Sequence, residues 1–136
     1  MDQILFLIGS VVFGILGVLH LVFTIFTNKF DAYDSSVTEA MKESSIVLSK
    51  DVNLWKAWIG FNVSHSLGAI LLAAVYVPLA FDHLSLLRNS LWFSTLPLLF
   101  SVSYLVLAKK YWFKLPLVGI LIASACFLGA ALLVNT

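Results

Sequence analysis

Apolar residues run along the chain in four long blocks separated by short polar stretches. The blocks cover residues 4–27, 54–79, 90–108 and 115–134. Each is close to the ~20 apolar residues that a helix of 1.5 Å rise needs to cross a bilayer. None alternates polar and apolar positions as barrel strands do. Backbone groups in lipid must pair within their own segment, so the pattern predicts four spanning helices. The connections at 80–89 and 109–114 are short, which makes spans two, three and four antiparallel neighbours. The expected architecture is all-α: an integral membrane four-helix bundle with up-down topology, in a single transmembrane domain over residues 1–136. The first block lacks the basic flank of a secretion signal and is too long for one, so it is expected to remain as a span.

The long connection, residues 28–53, has its own periodicity. Ser36-Val37-Thr38-Glu39 fits a capping box, in which serine and glutamate satisfy free N–H groups at a helix start. Val37, Ala40, Met41, Val47 and Leu48 follow at partial helical spacing. This predicts a short amphipathic helix over 36–49, lying on the membrane or folded over the bundle. Asp51 and Asn53 are candidate caps for span two.

Composition sharpens the class. Of 136 residues, 61% are hydrophobic and 11% charged, with mean hydropathy +1.02. Soluble domains carry about 25% charged residues, so the partner of most of this surface is the lipid bilayer. Eight Lys/Arg against seven Asp/Glu leave no basic excess for nucleic acid. The single cysteine, Cys126, excludes an intramolecular disulfide and a cysteine-built zinc site. Lys29, Lys42, Lys50, Lys56, Lys109, Lys110 and Lys114 flank one side of the expected bundle, and Arg88 alone flanks the other. Basic residues stay cytoplasmic. The long connection is therefore expected inside and both termini outside. Trp55, Trp58, Tyr111 and Trp112 fall near the same boundary, as interfacial anchors do.

Polar side chains inside the spans are the candidate chemistry, because ionisable groups in lipid face a partner or a cavity. From the helical rise, His20 lies about 10 Å, Asn62 about 12 Å and His65 about 16 Å from the cytoplasmic boundary. Tyr104 and Ser101 of span three fall at about 6 and 10 Å. Trp58, Asn62, His65 and Ala69 share one face of span two. Gly60, Ser64 and Gly68 form another, read as a small-residue packing stripe. Ser10 with Gly14, and Ala125 with Gly129, read the same way, and Gly119 leaves space near the histidine layer. Pro97 is expected to kink span three.

His20, Asn62, His65, Tyr104, Trp58 and Ser101 suit a pocket for a small lipophilic molecule, with Phe13, Phe23 and Phe61 as walls. The polar groups would hold the carbonyl or hydroxyl head of a quinone- or sterol-like lipid, and a histidine could serve as acid or base on it. No catalytic residue is assigned, and whether a reaction occurs is left open. Two histidines also admit a bis-imidazole haem, provided spans one and two separate enough to admit a porphyrin. A metal centre is disfavoured, because no Asp or Glu lies in a span core. The competing reading is a non-enzymatic accessory or assembly subunit, docked on another membrane protein or on a second copy, with the polar layer holding helices in register.

The segment Gly60-Phe61-Asn62-Val63-Ser64-His65-Ser66-Leu67-Gly68 resembles one in a group of small bacterial four-span membrane proteins. The four-span layout is also similar to DoxX-like membrane proteins. A quinone-linked role has been suggested for some DoxX-like members; the resemblance implies a bacterial inner membrane and adds little about activity. It assigns no residue.

Overall fold

The computed structural model describes residues 1–135. These form α1 (Asp2–Phe26), α2 (Ser35–Glu43), β1 (Ser45–Ile46), β2 (Ser49–Asn53), α3 (Leu54–Asp82), α4 (Leu84–Asn89), α5 (Leu91–Tyr111) and α6 (Lys114–Asn135). Four of the helices, α1, α3, α5 and α6, are long and apolar enough to cross a membrane. Their bounds agree with the four apolar blocks to within about one turn, the expected error at helix ends. Between 22% and 33% of each apolar window is buried inside the protein. The remaining apolar faces, among them Ile8, Ile15, Leu71, Leu121 and Leu132, point outward, as lipid-facing surfaces do.

The buried positions of α1 are Asp2, Phe6, Gly9, Ser10, Phe13, Gly17 and Thr24, with His20 half-buried. Apart from Ser10, they recur at steps of three or four residues, the spacing of a helix seam. On α5 the series is Ser94, Pro97, Ser101 and Ala108, and on α6 it is Ile120, Ala123, Phe127 and Ala130. Small and hydroxylated residues fill many of these positions, the composition of helix contacts that close packing holds together.

The chain divides into two compact units. One comprises Met1–Leu16 and the chain from Ala69 onward. In it α5 packs on α6, and Phe13 gathers the rings of Phe100, Tyr104 and Phe127 at centroid distances of 5.7, 5.5 and 6.3 Å. Glycines mark its close approaches. A Cβ on Gly14 would lie 2.9 Å from the Ala73 Cβ, and one on Gly9 would lie 2.8 Å from the Phe127 ring. Gly14 is thus a packing glycine as expected, whereas the expected space beside Gly119 is filled by Leu16, whose Cδ1 lies 2.9 Å from a built Cβ. Ser10 is fully buried, and a Cβ on Gly129 would lie 3.2 Å from Leu5 Cδ1, so both pack as expected, but Ala125 is exposed, and α6 also packs through Ala123, Ser124, Ala130 and Ala131. Helix α4 occupies part of the short connection after α3 and brings Arg88 onto Asp2.

The second unit is Gly17–Gly68 and contains the long connection. The expected helix over 36–49 is half right. It starts at Ser35 and ends at Glu43, with Ser44 extended at its C-cap. Residues 45–53 form an antiparallel hairpin instead, with Val47 and Leu48 at its turn. Ile46 and Val52, one in each strand, are β-branched, and such side chains favour the extended backbone. The N-cap is Asp34, whose carboxylate accepts from Ser36 N at 2.9 Å, so the capping box read at Ser36 is displaced by an acid two residues earlier. Asn53 does cap α3: its Oδ1 accepts from Lys56 N at 2.8 Å. Asp51 lies within β2. Gly60 and Ser64 are exposed, and a Cβ on Gly60 would meet nothing within 4 Å, so those two positions do not pack helices within this chain.

Candidate functional site

His20, Asn62 and His65 meet inside the Gly17–Gly68 unit. His20 sits on the seam of α1, and its backbone carbonyl accepts the Thr24 hydroxyl at 2.7 Å. Asn62 and His65 are three residues apart on α3, and so lie on neighbouring faces of one turn. The Asn62 carbonyl accepts the Ser66 hydroxyl at 2.8 Å. Across the two helices, His20 Nε2 and Asn62 Oδ1 are 3.0 Å apart. The imidazole rings of His20 and His65 have centroids 5.4 Å apart at an interplanar angle of 68°.

The network assigns the proton on His20. Asn62 Nδ2 donates to the Trp58 carbonyl at 2.8 Å, one helical turn earlier. That bond needs the amide nitrogen and fixes which way the amide points. Asn62 Oδ1 is therefore the atom facing His20, and it can only accept. Nε2 of His20 must donate, so neutral His20 is the Nε2–H tautomer and its lone pair is on Nδ1.

Trp58 contributes through the loop. Its indole N–H donates to the Phe30 carbonyl at 3.2 Å, tying the segment after α1 to the start of α3. The Phe30 ring then lies 4.5 Å from the His20 ring, centroid to centroid. Helical spacing does not point to Phe30, which lies in the long connection. Its only sequence signal is an aromatic between Lys29 and Asp31, just past a span end, where a solvated loop is the ordinary expectation. Phe61, read as a wall, is 77% exposed and faces outward. Phe23 carries the Lys29 ammonium 5.4 Å from its ring centroid.

Tyr104 and Ser101 belong to the other unit. Tyr104 stacks on Phe100 at 4.6 Å and meets Trp112 edge-on at 6.2 Å. Ser101 is fully buried, and its hydroxyl donates to the Leu98 carbonyl at 2.9 Å. Phe13, the third expected wall, is in the core of that same unit.

Three polar side chains from two helices thus converge, one with a fixed tautomer, and an aromatic lies against it. Such a group can donate and accept hydrogen bonds to a polar head, and an imidazole can carry a proton. It suits haem poorly. A porphyrin held on both faces would have to part the two helices that the His20–Asn62 bond joins, and would compete for His20 Nε2. No group of three or more His, Cys, Asp or Glu among the described residues is arranged to hold a metal ion. Comparison with known protein families, curated proteins and solved structures gives no match.

Proposed function

We propose that this is a multi-pass inner-membrane protein that binds a small lipophilic molecule, quinone- or sterol-like, with its polar head at His20, Asn62 and His65. Trp58 and Phe30 supply the aromatic side of the site. In this reading the four spans run up and down, the long connection is cytoplasmic and both termini are outside, following the Lys/Arg distribution.

The observation that carries the proposal is the pairing of two imidazoles, 5.4 Å apart, with an amide that orients one of them. Interhelical hydrogen bonds contribute about 0.6 kcal/mol on average in membranes. A single serine or asparagine serves that purpose, and two ionisable rings in one layer exceed it. Tyr104 and Ser101 carry none of this argument. The test is binding of a quinone and of a sterol to the purified protein, followed by fluorescence quenching. His20→Ala and His65→Ala should each weaken binding about tenfold, the effect of losing about 1.4 kcal/mol. The double variant should lose less than the sum, because residues sharing a ligand couple. Unchanged affinity in both single variants would overturn the proposal.

A second reading draws on the outward side of α3. Gly60 and Ser64 are exposed there, beside the exposed Phe61 ring. Small residues at an open helix face permit close approach by another helix in lipid. This supports an accessory subunit, or a homo-oligomer. Gly60→Leu would then abolish co-purification of a stoichiometric partner and leave ligand binding intact.

A further inference from the structure

We infer that the chain holds a zwitterionic phospholipid headgroup, of the phosphoethanolamine class, in two adjoining cavities at the ends of α1 and α3. This goes beyond the proposed histidine site and rests only on membrane embedding. Both cavities lie wholly in the Gly17–Gly68 unit. One, of ≈ 530 Å³, has the charged side chains of Lys29, Asp31, Glu39 and Lys42 in its lining. The other, of ≈ 520 Å³, has Ile25, Phe26, Trp55 and Ile59 as its apolar walls. Asn28 and Asp31 line both, so the two cavities adjoin at those residues. Volumes of this size are typical of small-molecule sites.

The charges select the ligand. Two lysines and two carboxylates give the first cavity no net charge. A simple anion would gain two lysines and meet two acids, and a simple cation would meet the reverse. A group carrying both signs satisfies each. Lys42 now pairs with Glu39 at 2.7 Å, and its ammonium lies 5.9 Å from the Trp55 ring centroid. Lys42 therefore links the charged cavity to the Trp55 wall of the other, where it could hold a lipid phosphate. Lys29 adds a second cation for the phosphate. Asp31 and Glu39 supply acceptors for a primary ammonium, which has three N–H donors; a choline headgroup has none. The apolar walls would take the glycerol and first acyl carbons.

The full chain, purified in detergent, would be offered equimolar phosphatidylethanolamine, phosphatidylglycerol and phosphatidylcholine with identical acyl chains, and the bound lipid read by intact-protein mass spectrometry. The expected result is enrichment of phosphatidylethanolamine by at least about threefold over each competitor. In Asp31→Asn/Glu39→Gln that preference should disappear, with phosphatidylglycerol rising. Both changes preserve side-chain shape on solvent-facing positions, and helix content by circular dichroism confirms the fold. No enrichment in the native chain, or an unchanged preference in the variant, overturns the inference. Glycerophosphoethanolamine, the same headgroup without acyl chains, should displace the lipid only in large excess. Displacement at equal concentration would show that the apolar cavity contributes nothing, and would overturn the lipid as the source of the headgroup.

Discussion

Asp2 and Arg88, 86 residues apart in sequence, form a two-pronged ion pair: Arg88 Nε donates to one carboxylate oxygen at 2.8 Å and Nη2 to the other at 3.0 Å. The pair clips α4 to the first turn of α1. Asp2 is mostly buried, whereas the guanidinium is 54% exposed. The carboxylate beside it raises the Arg88 pKa further above its already high ordinary value, so the cation persists at every workable pH. Half-exposed ion pairs are screened and contribute little. Arg88→Gln and Asp2→Asn should each lower the melting temperature by a few degrees at most. The double variant should resemble either single one, because both remove the same contact. Additive losses in differential scanning fluorimetry would show that the two residues act separately.

Gly14 and Gly60 should respond in opposite directions to alanine. A methyl on Gly14 meets the Ala73 Cβ at 2.9 Å, and neither atom can rotate away. The helices must shift, and overpacking of this kind costs about 1–3 kcal/mol. At Gly60 the methyl meets nothing within 4 Å. There alanine should stabilise α3, by up to about 1 kcal/mol from helix propensity. Reversible unfolding in mixed micelles measures both. A stabilised Gly14→Ala would mean that α1 and α3 are further apart at that level than the structure places them.

Asp34 sets the start of α2, and its dependence on pH has a definite sign. The Ser36 hydroxyl and backbone N–H hold its carboxyl below the usual aspartate value. A lowered pKa in the folded state adds stability that is complete above the unfolded value, about 3.9. That contribution is lost as pH falls through the lower folded value. The Ser36 amide resonance should therefore stay constant from neutral pH down to about pH 4 and shift upfield below it. Asp34→Ala should remove the transition and fray α2. A Ser36 shift centred well above pH 4 would assign the cap to another group.

The four long apolar helices were legible because a helix fit to cross lipid needs a length and a composition that few other segments share. The meeting of His20, Asn62 and His65 was legible from depth counted along two helices, since 1.5 Å per residue is a reliable ruler. The long connection was only half legible. Val47 and Leu48 fall at helical spacing from Val37 and Met41, yet the backbone turns over them into a hairpin. That turn has no Gly or Asn to announce it, and no residue in it adopts positive φ. The Asp2–Arg88 pair had no local signal, because contact across 86 residues leaves none in spacing. Gly60 and Ser64 misled for a different reason. Small residues at helical intervals mark a surface that can be approached closely, but not whether anything in the same chain approaches it.

The bond between His20 and Asn62 makes the most specific prediction. Asn62 is held by its own helix, with Nδ2 on the Trp58 carbonyl, and so presents only an oxygen to His20. Neutral His20 should therefore be observed as the Nε2–H tautomer by ¹⁵N NMR of histidine-labelled protein, with Nδ1 showing the shift of an unprotonated nitrogen. Asn62→Leu removes the acceptor while keeping a side chain of similar length. The tautomer preference of His20 should then weaken, and stability should fall by about 0.6 kcal/mol, the mean for an interhelical hydrogen bond in a membrane, and by no more than about 1.7. Asn62→Asp should keep the Nε2 proton in place, since a carboxylate can also only accept. A Nδ1–H tautomer in the native protein would falsify the assigned orientation of Asn62, because an amide turned the other way would offer His20 a donor and leave the Trp58 carbonyl facing an oxygen.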